Sequence, residues 1–204
     1  VGLILGWGIK TIEVNNKVAQ KEESEKAQQI DIKSAQYLEK EYNSIIVSDK
    51  KNLDKKSATS IKELKKKLGE PVYSENTTID NITVNTKTWS IGANNELPAN
   101  LTVNTIDGVV VEKSISNLYV NYNAKLLVTK NKYNEITLNK DLSFEQAKKE
   151  FGNPNAVNEY IDDYGKTVIS ATWNTNVKGA IGSFFNVTFV NNVATSKTEV
   201  GLAN

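Results

Sequence analysis

Hydrophobic residues in this chain change their rhythm at regular points, and those changes mark out its elements. From Ser143 to Phe151 the apolar residues Phe144, Ala147 and Phe151 recur at intervals of three and four, the stripe a helix buries against a core. Ser143 and Gln146 stand where a capping box needs them, and Gly152 with Pro154 supplies the stop. The same arrangement occurs earlier, with Ser60 and Glu63 as the box, Ile61, Leu64 and Leu68 as the stripe, and Gly69 and Pro71 as the stop. After each helix the period shortens toward two, in stretches rich in Thr, Val, Ile and Tyr. These predict strands near 72–77, 82–91, 99–106 and 109–117, and again near 156–161, 166–175, 183–190 and 193–200. Asp80-Asn81, Asp107-Gly108, Asp163-Tyr164-Gly165 and Asn191-Asn192 are the turn signals between them. In the second set Ile169, Ala171 and Trp173 share one face, as do Val187 and Phe189. The expected fold class is α+β: one helical stalk, then two tandem repeats, each a helix packed on a four-stranded antiparallel sheet.

The two units correspond residue by residue. Gly69 and Pro71 match Gly152 and Pro154 at an offset of 83, Trp89 matches Trp173 at 84, and Asn100 and Thr102 match Asn186 and Thr188 at 86. Lys113 and Leu118 match Lys197 and Leu202 at 84. The expected repeats are residues 57–118 and 140–204. Each alone buries too little surface for comfort, so the two should pack together or share a sheet. Residues 119–139 connect them, with Lys125 to Thr129 and Glu135 to Leu138 expected to be extended, packing on the seam or adding a strand. Residues 12–56 are expected to be a polar stalk and linker, helical to about residue 43, with its last turns docked on a domain; a disordered spacer is the other reading. Tyr42 to Val47 is then expected to be extended. Residues 1–11, opening on the apolar run VGLILGWGI, are expected to be the remnant of a membrane anchor with Trp7 at the interface. A buried strand or N-terminal arm is the other reading of that run.

Composition narrows the chemistry. The chain has no cysteine, histidine, methionine or arginine, and its formal net charge is +1. Disulfides, thiolate chemistry, the usual general base and the commonest transition-metal ligand are therefore absent. Mixed charge without arginine gives no case for nucleic acid. Glu159 with Asp162-Asp163 lacks the spacing of a calcium loop and reads as a solvated turn. Gly179-Ala180-Ile181-Gly182 opens no helix and so is no phosphate loop. No catalytic, cofactor-binding or metal-ligating residue is assigned, and the chain is expected not to be an enzyme.

Binding is what remains. Trp89 and Trp173, at equivalent positions, are better explained as core residues than as hot spots. Phe184 and Phe185 adjoin the glycine-rich loop; either they expose an apolar patch or one of them fills the core. The units differ most in the loops Gly92–Ala99 and Asn176–Ser183, so Asn94, Asn95, Glu96, Lys178, Ile181 and Phe184 are the candidate partner-binding residues.

A capped helix, G-x-P, a strand ending in Trp, an N-x-T strand, an Asn/Asp hairpin and a K-S/T strand follow one another twice over residues 57–202. This order resembles the tandem β-lactamase-inhibitor-protein-like domains of Gram-positive surface proteins, related in shape to the SmpA/OmlA domain. The resemblance implies a non-catalytic, membrane-anchored cell-surface module presenting a concave two-repeat sheet to a protein or envelope partner. Lysine as the only strong base, with abundant asparagine, suits such a bacterium. The alternatives are an inhibitor of a secreted hydrolase of the β-lactamase type and, further off, an envelope hydrolase.

Overall fold

A computed structural model describes residues 35–92 and 98–204. Residues 1–34, where an anchor remnant and most of a stalk are expected, and the loop residues Asn94, Asn95 and Glu96 lie outside the described residues. The last turns of the stalk are a helix, α1 (residues 35–44), with Ala35, Leu38 and Tyr42 buried on the domain. Then come α2 (Ile61–Leu68) and the strands β1 (Tyr73–Ile79), β2 (Ile82–Ile91), β3 (Ala99–Ile106) and β4 (Val109–Ser116). A 3-10 turn (Ala124–Leu126) and α3 (Lys130–Glu135) lead to α4 (Phe144–Phe151). The chain finishes with β5 (Ala156–Ile161), β6 (Thr167–Trp173), β7 (Gly179–Val190) and β8 (Val193–Leu202).

All eight strands form one antiparallel sheet in sequence order. The halves join where β4 pairs with β5, Ile115 opposite Val157 and Lys113 opposite Glu159. Both capping boxes are present, Ser60 with Glu63 and Ser143 with Gln146, and Gly69 and Gly152 close the helices at φ +78° and +86°. The Asp80-Asn81, Asp107-Gly108 and Asn191-Asn192 turns all take positive φ at both residues, the primed geometry that matches strand twist.

The helices cover one face of the sheet, and a single core runs through both halves. Leu38, Leu64, Trp89 and Leu101 belong to it, as do Phe151, Trp173, Phe185 and Val187. Trp173 stacks on Phe185 at 5.1 Å between ring centroids, with Phe151 edge-on to both. The two tryptophans are core residues with the same bond: Trp89 Nε1–H donates to Gly69 O (2.9 Å) and Trp173 Nε1–H to Gly152 O (2.8 Å). Each thus ties the end of a helix to the second strand of its unit.

Of the stretches expected to be extended, residues 125–129 and 135–138, the first opens in the 3-10 turn at Lys125 and Leu126, and the second opens on Glu135, the last residue of α3. Residues 130–135 are helical, because the Thr129 side chain caps them by accepting from Lys132 N–H. Only Val128 makes a strand-like bridge, parallel to Val177. The segment packs beside β7 and β8, where Lys130 N–H donates to Ala203 O, and not on the seam. What sits there mirrors the end of the stalk. Lys113 Nζ donates to Tyr42 O (3.3 Å) and Ile45 O (2.9 Å), closing α1. Lys197 Nζ donates to Tyr133 O (2.8 Å), Asn134 O (3.0 Å) and Ile136 O (2.9 Å), closing α3. Each ammonium lies over the tyrosine ring of the helix it closes, at 4.6 and 4.7 Å. Beyond α1, Ser48 N–H donates to Val110 O, and beyond α3, Asn139 N–H donates to Ala194 O.

Candidate functional site

Strand alternation sends every second residue to the face the helices leave uncovered. Register across the sheet lines up Tyr73, Thr88, Thr102, Ser114, Asn158, Ser170, Thr188 and Ser196, one from each strand. This hydroxyl and amide row crosses the whole sheet. Thr88 and Thr102 share a hydrogen bond at 2.9 Å, and Asn186 Nδ2 donates to Ser170 and Thr172 hydroxyls, each at 3.0 Å. One row over, Thr86 Oγ1 donates to Asn104 Oδ1 (2.8 Å), and Asn104 Nδ2 donates to Glu112 Oε2 (2.8 Å). Side chains bonded to one another in this way keep fixed positions and still offer spare lone pairs and donors to a partner.

Apolar groups stand at two places on this polar field. A concavity of about 500 Å³ lies across the β4–β5 seam, lined by Val84, Ile106, Val111, Tyr160 and Ile161 with Asn104, Glu112 and Lys50. Lys50 Nζ, 2.9 Å from Asp163 Oδ1, sits at its rim. The Lys50 ammonium lowers the Asp163 pKa, first by hydrogen bonding and then by charge. The second place is the end of β7. Between Gly179 and Phe184 the register with β8 slips, and residues 180–183 bulge out. Ile181 in this bulge is 108% exposed. Phe184 is half-buried opposite Val200, which is exposed. Phe185, one residue on, points the other way into the core; the alternation of β7 thus decides between the two phenylalanines. A tight corner supports the bulge, since Ser183 Oγ donates to Gly201 O (2.8 Å), and a Cβ on Gly179 would meet that oxygen at 2.4 Å.

Of the expected partner-binding residues, Ile181 and Phe184 lie in this stretch of β7 and Lys178 directly precedes it, with Lys178 and Ile181 exposed and Phe184 half-buried. Asn94, Asn95 and Glu96 fall outside the described residues. Val200 and the polar row were missed by sequence reading, although polar residues at alternate positions of successive strands (Thr86 and Thr88, Thr102 and Asn104) are the signal that finds them. The carboxylates considered for calcium diverge: Glu159 pairs with buried Lys113 at 3.2 Å, while Asp162 Oδ1 accepts from Tyr164 and Lys166 N–H within its own turn. Among the described residues no group of three His, Cys, Asp or Glu is arranged to hold a metal ion, and no helix is long and apolar enough to cross a membrane.

A helix followed by four meandering strands, twice, in one sheet with one bare face, defines a β-lactamase-inhibitor-protein-like fold. A Streptococcus mutans protein, provisionally described as a β-lactamase inhibitor protein, has a similar crystal structure. The TM-score is 0.62 at 24% identity, over 79% of this chain and 94% of that one. The model of a domain family of unknown function with solved structure, DUF3862, matches residues 34–202, and the chain belongs to that family. No curated protein gives a significant sequence match.

Proposed function

We propose that the chain is a non-catalytic binding module that engages a folded protein partner through its uncovered sheet face. The observation that carries this is the pairing of an ordered polar field with the projecting Ile181–Phe184–Val200 corner. An exposed apolar anchor beside satisfied polar groups is the composition of a protein-binding surface. Lys178 beside it supplies a charged rim. The likeness to a protein described as a β-lactamase inhibitor supports a protein as the partner and makes secreted hydrolases the second reading. We further propose that this binding takes place outside the cytoplasm, from a membrane-held chain; the apolar run Val1 to Ile9 and the polar stretch after it support that setting.

The test is affinity capture from a solubilised cell envelope, comparing the wild type with Ile181→Asp/Phe184→Ser and with a charge change on the helix face. A specific partner should be lost with the double variant alone, its affinity falling by about 10-fold or more. Capture that ignores these substitutions, or no partner at any salt concentration, overturns the proposal. Titration against a panel of serine β-lactamases decides the second reading by whether hydrolysis is blocked.

A further inference from the structure

The sheet has two outer edges, and they are built differently. At β8 the edge is guarded. Lys197 is drawn inward by the α3 carbonyls, the α3 start bonds to Ala203 O, and Gly201 interrupts the regular register of β8 at φ +71°. Inward lysines, breaks and covering helices are the devices that prevent edge-to-edge pairing. At β1 none of these is present among the described residues. Its seven residues, Tyr-Ser-Glu-Asn-Thr-Thr-Ile, pair in unbroken register with β2 and with no other strand among the described residues. All seven are exposed, and large apolar groups flank both ends: Val72 (70%), Tyr73 (51%), Ile79 (65%) and Ile82 (51%).

We infer that β1 is a homodimer edge, pairing antiparallel with β1 of a second copy about a two-fold axis at Asn76. Full seven-residue overlap requires that axis. It opposes Tyr73 to Ile79, Ser74 to Thr78, Glu75 to Thr77, and Asn76 to its own mate. Every pair joins residues of the same face, as a continuous sheet demands. The pairs are of kinds that stabilise sheets: aromatic with β-branched, hydroxyl with hydroxyl, amide with amide. No charge opposes a like charge. The two Glu75 residues are diagonal neighbours, their backbone positions roughly 7–8 Å apart, and each carboxylate accepts a hydrogen bond from its own Tyr73 hydroxyl (2.6 Å). A two-fold here is isologous and closes at two copies. The uncovered faces then run on as one surface, from one eight-stranded sheet into the next. Strand pairing alone makes a small interface, below about 1,200 Å², so the dimer is a weak one that forms at high local concentration.

Sedimentation of the full chain over a wide concentration range tests this. The wild type should pass from monomer to dimer, while Asn76→Lys and Asn76→Glu each stay monomeric, with dimerisation weakened about 10-fold or more by apposed like charges. Mixing the two variants should restore a heterodimer. Asn76 is exposed, so unchanged thermal unfolding shows that each variant is folded. Because the chain has no cysteine, Asn76→Cys should cross-link under mild oxidation faster than Thr198→Cys in β8. A wild type that is monomeric throughout, no heterodimer on mixing, or equal cross-linking from both strands overturns the inference.

Discussion

Replacing Lys113 by methionine keeps the aliphatic stem in place and removes only the charge. In the native structure this side chain is buried in β4, 5% exposed, and its ammonium holds Tyr42 O, Ile45 O and Glu159 Oε2. Breaking a buried ion pair by removing one partner costs about 3–5 kcal/mol. Glu159 retains 25% side-chain exposure and recovers some hydration, so the low end, about 3 kcal/mol, is expected. For a domain of this size that lowers the melting temperature by roughly 6–12 °C. Adding Glu159→Gln, which removes the orphaned charge, should return about 1–2 kcal/mol. Urea unfolding followed by circular dichroism gives these values. Hydrogen exchange then asks where the loss falls: amides of α1 should exchange faster, because Lys113 closes that helix. A loss under about 1 kcal/mol, or unchanged exchange in α1, would refute the view that this lysine fastens α1 to the sheet.

The equivalent Lys197→Met change should cost less, about 1–2 kcal/mol, because its cage is three carbonyls with no carboxylate left behind. Acid sensitivity follows from four carboxylates held below their usual pKa: Asp54 by hydrogen bonds from Ser57, Glu63 by hydrogen bonds from Ser60, Glu199 by Lys130, and Asp163 by Lys50. Their stabilisation is complete above the unfolded values near 4 and is lost as pH falls through the lower folded values. Urea midpoints at pH 5 and pH 3 measure that loss, and Glu199→Gln should shrink the difference. Gly179→Ala forces a Cβ against Gly201 O and should cost about 1–3 kcal/mol. It should also weaken partner capture by moving the Ile181 bulge, which a binding titration reads directly.

Local chemistry made most of the fold legible in the sequence. Capping boxes, G-x-P stops and two-residue turns act over four or five residues, and each of these appears where it was expected. α3 escaped because a six-residue helix has no stripe to read; it depends on a lysine 62 positions later, Lys197 from Glu135. One local signal was present. Tyr42-Asn43-Ser44-Ile45 and Tyr133-Asn134-Glu135-Ile136 differ at a single position, and each ends a helix that a lysine closes. The same limit applied to Phe184 and Phe185, since neighbouring identical residues carry no parity until the strand is paired. The polar face was hardest to see, because its row is assembled from eight strands and no stretch of sequence contains it.

The Lys113 clasp also sets how the protein carries mechanical load. Force applied to residues preceding α1 enters the sheet at β4, an interior strand, and not at either edge. Tension between that end and a ligand held on the bare face would therefore pull across the middle of the sheet, against many ladder bonds at once, and would not peel β1 or β8 away hairpin by hairpin.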